Sequence, residues 1–196
     1  MRIKDEHASR DVDRARDHVR HHPFATIVTA GLQATHMPCL LVEDADGLVI
    51  EGHVAKADPA CAQLDGPLLL IFAGPAGYVS ASWYRTRELI PTWNHVTLHV
   101  WGRPELIDAP LELLRRTVDH FEAPVDRPWS LDELQDGGRE MAQEVVGFRL
   151  VAERWHLEEK LSQDKPEELQ ADVVAGLEAD RPYRNDAVAA AMRRLT

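Results

Sequence analysis

Apolar and polar positions change their rhythm along the chain. Residues 11–22 are polar and compatible with a helix, and Pro23 ends them, because proline restricts the residue before it. Short runs rich in Val, Ile, Leu, Thr and aromatics follow: Phe24–Ala30, Met37–Val42, Leu48–His53, Leu68–Ala73, Tyr78–Trp83 and Thr92–Trp101. Gly, Pro and Asp clusters separate them, as between strands. Such close spacing predicts an antiparallel barrel rather than a βαβ sheet, which needs a helix between successive strands. Leu111, Leu114, Val118 and Phe121 then fall at helical spacing and predict an amphipathic helix over Pro110–Glu122. Leu131–Gln143 reads as helix interrupted near Gly137-Gly138, Val145–Leu157 as strand, and Pro166–Leu177 and Asp186–Leu195 as two tail helices.

The run Thr92–Trp101 carries more than its strand character. Alternation puts Val96, Leu98 and Val100 on one face, expected inside the barrel, and Trp93, His95, Thr97, His99 and Trp101 on the other. That second face is too aromatic for plain solvent. A subunit interface, a platform for a flat ligand, or a covering helix would each account for it.

Length and composition narrow the choices. A chain of 196 residues with 44% apolar content has enough material for one domain. We expect a single domain over residues 1–196, with a barrel over about 23–160 and a helical tail over about 166–196. No apolar run approaches the roughly 20 residues of a membrane helix. The charged N-terminus predicts no secretory leader, and two cysteines without CxxC spacing predict no disulfide framework. A cytoplasmic protein is the expectation. The net charge of −11 opposes unaided binding to nucleic-acid phosphate, which depends on clustered Lys and Arg.

Ten histidines raise the question of a metal, and their spacing answers against one. His95 and His99 share a strand face but lie about 13 Å apart along it. His18 and His22 are one helical turn apart, with no HExxH pattern or cysteine pair beside them. There is no GxSxG elbow, no GxGxxG fingerprint and no Walker A sequence. What remains are polar and aromatic clusters at strand ends: residues 35–38, 52–56, 80–84 and 91–95. Hydroxyls, an amide, a lysine and several aromatics are what a phosphorylated planar cofactor requires.

Those clusters carry a resemblance. His22-Pro-Phe-Ala-Thr26, Gly52-His-Val-Ala-Lys-Ala-Asp-Pro59, Ile71-Phe-Ala-Gly-Pro75, Tyr78-Val-Ser-Ala-Ser-Trp-Tyr84 and Pro91-Thr-Trp-Asn94 resemble the PaiB family of FMN-binding negative transcriptional regulators. Val146-Gly-Phe148 and Lys160-Leu-Ser-Gln163 match later motifs in order, so the resemblance runs from about Pro23 to Leu177. It implies an α+β, mainly β fold: a six- to seven-stranded antiparallel split barrel of the FMN-binding type with flanking helices. It also implies flavin held at the interface of a homodimer. Carried onto matching positions, Lys56 is the first phosphate contact, with His53 near it. Ser80, Ser82 and Trp83 would line the flavin region, Thr92, Trp93 and Asn94 would come from a neighbouring strand or the partner, and Lys160, Ser162 and Gln163 follow. The chain departs from the family pattern at Ala81, His95 and Asp164, the last a carboxylate whose charge opposes a phosphate.

Three functions remain open at this level: a flavin-binding regulator acting indirectly on transcription, an FMN-dependent oxidoreductase on a small metabolite, or a related split barrel that binds haem. No helix-turn-helix pattern supports direct DNA reading. No residue is identified as a catalytic acid, base or nucleophile.

Overall fold

Neighbouring runs that alternate apolar and polar positions bury one face and hydrogen-bond along their edges, so they pair as antiparallel ladders. The computed structural model describes residues 7–43, 45–135, 138, 140 and 142–195. Among the described residues there are nine strands: β1 (Ala8–Ser9), β2 (Phe24–Thr29), β3 (Ala34–Leu41), β4 (Val49–Ala55), β5 (Leu68–Val79), β6 (Thr92–Gly102), β7 (Pro104–Ile107), β8 (Val145–Val151) and β9 (Arg154–Lys160). The helices are α1 (Val12–His21), α2 (Pro110–Glu122), α3 (Glu167–Glu178) and α4 (Asp186–Arg193). The chain divides into two compact units. A sheet unit comprises Val12–Phe72 and His99–Trp155, and a tail unit comprises Met1–Asp11, Ala73–Leu98 and His156–Thr196.

In the sheet unit the strand order is β5-β2-β3-β4-β8-β7. Ile27 of β2 faces Leu70 of β5, Cys39 faces Gly52, and Gly52 in turn faces Phe148. Ile27, Ile50, Val54, Leu70, Phe72, Phe148 and Leu150 are fully buried and form the core. Gly52 is required by that packing, since a Cβ there would stand 2.8 Å from the Phe148 ring. Arg16 of α1 fastens the β3–β4 connection by donating to the carbonyl oxygens of Glu43, Ala45 (3.0 Å) and Gly47 (2.8 Å). His18 lies buried one turn later, its Nε2 3.0 Å from the Phe72 carbonyl oxygen.

Helix α2 differs from expectation in which face it buries. Leu113 and Thr117 are buried, while Leu111 and Phe121 of the predicted stripe are exposed. Two contacts set this rotation. Leu113 fills the space left by Gly147, where a Cβ would lie 2.9 Å from it. The buried Glu51 carboxylate of β4 draws Arg116 to 2.7 Å and Arg149 to 3.1 Å. A carboxylate out of water must be paired, so the helix turns Arg116 together with Leu113, rather than Leu111 and Phe121, toward the sheet.

In the tail unit the order is β1-β9-β6-β5. Val79, Val96, Leu98, Leu157, Leu161, Val173, Leu177 and Val188 are buried. Trp83 lies against α3 at Gly176, where a Cβ would come within 2.4 Å of the indole. Arg85 clasps Asp172 of α3 through its backbone N–H (3.0 Å), Nε (3.0 Å) and a terminal nitrogen (2.8 Å).

Four other expectations are corrected. Leu68–Ala73 and Tyr78–Trp83 are not separate strands: β5 runs through Gly74 and Pro75 to Val79, and residues 81–83 form a 3-10 turn capped by Ser80. Its register with β2 ends at Phe72, so no β2 acceptor waits for the N–H that Pro75 lacks. Val145–Leu157 is two strands, parted at Ala152-Glu153, where the two N–H groups turn to the carbonyls of Leu48 and Trp101. The short strands β1 and β7 have too few residues to show alternation. Leu131–Gln143 begins as a 3-10 turn at 131–133, fixed by a capping box between Ser130 and Glu133, and lies partly outside the described residues.

Candidate functional site

The sheet unit carries His53 and Lys56. Register places His53 on β4 opposite Gly147, and the strand ends at Ala55. The ladder takes one further step, from the Lys56 N–H to the Glu144 carbonyl (2.9 Å), and the chain then reverses, with the Asp58 N–H donating to the Ala55 carbonyl (2.9 Å). Asp58 fixes this reversal. Its Oδ2 accepts from the Thr35 hydroxyl at 2.6 Å and its Oδ1 from the Ala60 N–H at 2.8 Å. Gln63, at the end of the following 3-10 turn (Pro59–Gln63), accepts from the Thr29 hydroxyl (2.7 Å) and the Gly31 N–H (3.0 Å). The backbone around Lys56 is therefore held at several points while its side chain is exposed. Its Nζ stands 3.6 Å from the exposed Glu144 carboxylate, a long pair in water that a stronger anion can replace.

His53 complements it. The ring is half-buried, burial holds its pKa below the ordinary value, and Nδ1 is buried without a hydrogen-bond partner among the described residues. A lysine at a strand end suits an anion such as a phosphate, and the neutral imidazole three positions earlier can serve one only through its protonated ring nitrogen.

The tail unit gathers the other expected residues. Lys160 donates to the Thr92 hydroxyl and to the Trp93 carbonyl (2.7 Å). Asn94 is fully buried, its Oδ1 accepting from the Ser162 hydroxyl (3.1 Å) and its Nδ2 3.5 Å from the Met192 sulfur of α4. Ser162 is buried with φ of 64°, a left-handed conformation that the Asn94 hydrogen bond helps to fix. Gln163 is spent locally, accepting from the Leu161 N–H (2.7 Å) and donating to the Glu159 carbonyl. Ser80 and Ser82 bond each other at 2.8 Å. Trp83 packs on Gly176, with the Arg181 guanidinium 5.7 Å from its ring centroid. Asp164, the departure from the family pattern, has the Lys165 ammonium 3.1 Å away, which offsets its charge.

Alternation along β6 is as expected, with Val96, Leu98 and Val100 buried, and Asn94 joins that inner face. Trp93 on the opposite face is 57% exposed and meets Tyr78 of β5 edge-on at 6.2 Å between ring centroids. In the sheet unit, Trp101 carries the Arg154 guanidinium 4.0 Å above its ring. Thr35 stands in one of the polar clusters read from sequence, whereas Asp58 was not singled out as part of the site. The signal available was Asp58-Pro59, an N-cap followed by proline at the first position of a turn.

The donor set fits FMN. In the sheet unit a lysine and an imidazole suit its phosphate, and in the tail unit exposed Trp93 and half-buried Tyr78 suit a planar ring. No group of three or more His, Cys, Asp or Glu among the described residues is placed to hold a metal ion, and no helix among them is long and apolar enough to cross a membrane.

Comparison with known proteins agrees with this chemistry. Residues 1–154 match the family described as "Putative FMN-binding domain". The chain is 31% identical over 168 residues to protease synthase and sporulation protein PAI 2 of Bacillus subtilis, covering 82% of this chain and 81% of that protein. Among solved structures, the FAD and heme binding protein of Mycobacterium smegmatis superposes with a TM-score of 0.61 at 21% identity, over 87% of this chain and 80% of that one. Flavocytochrome Anf3 of Azotobacter vinelandii superposes with a TM-score of 0.56 at 18% identity, over 80% and 72%. At such identities the superpositions speak for the fold, an α+β, mainly antiparallel split barrel, and the family match speaks for the cofactor. The chain belongs to the PaiB-type family of FMN-binding split-barrel proteins.

Proposed function

We propose that this protein is a homodimeric, cytoplasmic FMN-binding regulator that acts on transcription indirectly, with the FMN phosphate held at the end of β4 by Lys56 and His53. The observation that carries the reading is an exposed lysine at the end of β4 whose backbone is fixed on both sides, three positions after a half-buried imidazole. The net charge of −11 and the lack of a helix-turn-helix pattern in the sequence support indirect rather than direct action on DNA. A relative named for sporulation and protease synthesis supports a regulatory rather than a housekeeping role.

Within this reading each residue has a separable task. Lys56 supplies charge, His53 a directed polar atom, and Asp58 with Thr35 the backbone geometry that keeps Lys56 at the strand end. Both carboxylate oxygens of Asp58 accept hydrogen bonds within the protein. Thr92, Trp93 and Lys160 of the tail unit, with Ser80, Ser82, Trp83, Asn94, Ser162 and Gln163, are the residues that the resemblance names for the flavin ring region. When bound, FMN supplies one- and two-electron redox chemistry.

Absorption spectra of the purified protein, followed by titration with FMN, test the reading. Flavin bands and stoichiometric FMN uptake support it. A Soret band without flavin uptake would point to haem, and steady NAD(P)H turnover to an oxidoreductase; either result would displace the regulatory assignment.

A further inference from the structure

Strands β4 and β8 pair down to Ala55 opposite Val145, and the bond from the Lys56 N–H to the Glu144 carbonyl (2.9 Å) carries the ladder one step further. Lys56 and Glu144 therefore face each other across the strands, with their side chains on one side of the sheet and their Cβ atoms about 5 Å apart. Lys56 Nζ lies 3.6 Å from Glu144 Oε1, longer than a hydrogen bond, and the two side chains are 49% and 69% exposed. A pair so long and so wet contributes little to folding. Its position is nevertheless fixed by the backbone, because neither residue can leave the other without breaking the end of the ladder.

The balance of charge at this strand end is the reverse of that elsewhere in the sheet unit. Glu51 has both Arg116 and Arg149 beside it, and Glu43 has both Arg16 and Arg20. Lys56 instead stands between two carboxylates. Asp58 has its oxygens engaged by the Thr35 hydroxyl and the Ala60 N–H, so Glu144 is the one that meets the ammonium. We propose that Glu144 is the built-in counter-ion of the phosphate site: it holds Lys56 while the site is empty, yields it to the FMN phosphate, and keeps the cofactor exchangeable. The inference rests on the FMN reading above and adds to it a residue that limits affinity rather than one that supplies it. Two physical effects act together. Binding replaces the Lys56–Glu144 pair with a lysine–phosphate pair, so part of the gain offsets the loss. The displaced carboxylate then stays within a Debye length of the bound dianion and repels it. A regulator that answers to flavin supply needs a cofactor that leaves when the supply falls, and both effects favour release.

Glu144→Gln keeps the size of the side chain and removes its charge. It should strengthen FMN about 2- to 10-fold, mostly by slowing release, and leave riboflavin unchanged. Glu144→Lys should go further in the same direction, and it takes over as the test should the glutamine variant fold poorly. The melting temperature of the unliganded chain should barely move in either, since the pair is exposed. In a Lys56→Ala background, Glu144→Gln should gain less, because no lysine is set free and only the repulsion is lost. Titration of FMN and riboflavin into the four chains, with stopped-flow release of FMN, reads all of these. Unchanged or weaker FMN binding in Glu144→Gln, while wild type binds FMN, would overturn the counter-ion and leave the FMN reading standing. An equal gain for riboflavin would overturn it by removing the phosphate from the effect, and an equal gain in the Lys56→Ala background by removing the lysine. A wild-type chain that binds neither flavin would remove the counter-ion and the FMN reading together.

Discussion

A lysine at a strand end becomes informative only through its neighbours. Lys56 is exposed and its one long ion pair with Glu144 is easily exchanged, so its loss should barely touch the fold. Lys56→Ala is expected to weaken FMN roughly 10- to 150-fold, from the about 1.5–3 kcal/mol of a charge-assisted hydrogen bond, and riboflavin far less. Parallel titration of both flavins checks this, and equal losses would remove Lys56 from the phosphate site. Asp58→Ala should cost about 1–2 kcal/mol of stability by unpairing the Thr35 hydroxyl and the Ala60 N–H, with Asn restoring part of it. Urea unfolding measures both. His18 sets a pH dependence. Burial lowers its pKa to about 4 from 6.5, so the unfolded chain takes up the proton first. Stability is then fully present above about pH 6.5 and falls as pH drops toward 4, by roughly 2 kcal/mol between pH 7 and pH 5. His53, lowered in the same direction, adds to the fall. His18→Gln should flatten the curve over that interval, and an unaltered slope would show that other groups govern it.

Elements here are oriented by small exceptions to their hydrophobic pattern. Helix α2 carries an apolar stripe legible in the sequence, yet it packs through Leu113 and Thr117, because Gly147 makes room for one and Glu51 demands Arg116. Periodicity reports that a helix has a face and cannot report a buried carboxylate on a strand brought near it by the fold. Helix α3 shows the same dependence at Gly176, which the Trp83 indole covers. Gly176→Ala should cost about 1–3 kcal/mol, despite alanine's better helix propensity, because a rigid ring rather than a flexible chain end blocks the new methyl. Thermal unfolding would show it, and a gain in melting temperature would mean that the indole moves aside. Strand β5 was legible in its first half, Leu68–Ala73, but its continuation through Pro75 to Val79 was not, since Pro75 signals a break unless one knows that its β2 neighbour has already ended.

At the scale of the whole molecule, acidity and an aromatic strand face lead the expectations. The exposed Trp93, with the interface flavin site that the resemblance implies, leads us to expect a homodimer, so sedimentation at micromolar concentration should report near 44 kDa, twice 22.1 kDa. A monomer retaining stoichiometric flavin would exclude a site shared between subunits. With −11 net charge, the protein alone should show no tight, sequence-specific duplex binding, since the counterion-release contribution that supplies affinity is missing. A nanomolar, salt-dependent complex with one defined DNA site would contradict this.

The sequence by itself determined the kind of elements, most of their order and the cofactor class. Alternation and helical spacing are local properties, and the ordered motifs from Pro23 to Leu177 name chemistry as well as fold. It determined the inner face of β6 for the same reason, down to Val96, Leu98 and Val100. Tertiary structure alone decided which polar residues are spent and which remain available. Asn94 and Gln163 look like ligands in the chain and have their amide groups engaged within the protein, whereas a buried nitrogen of His53 has no hydrogen-bond partner among the described residues. It alone also brought Tyr183 beside Tyr78, about a hundred residues away along the chain. Hydrogen-bond partners and ring contacts between distant residues leave no periodic trace. They are set by how strands and helices meet, and that meeting depends on packing volumes and buried charges that no short window of residues contains.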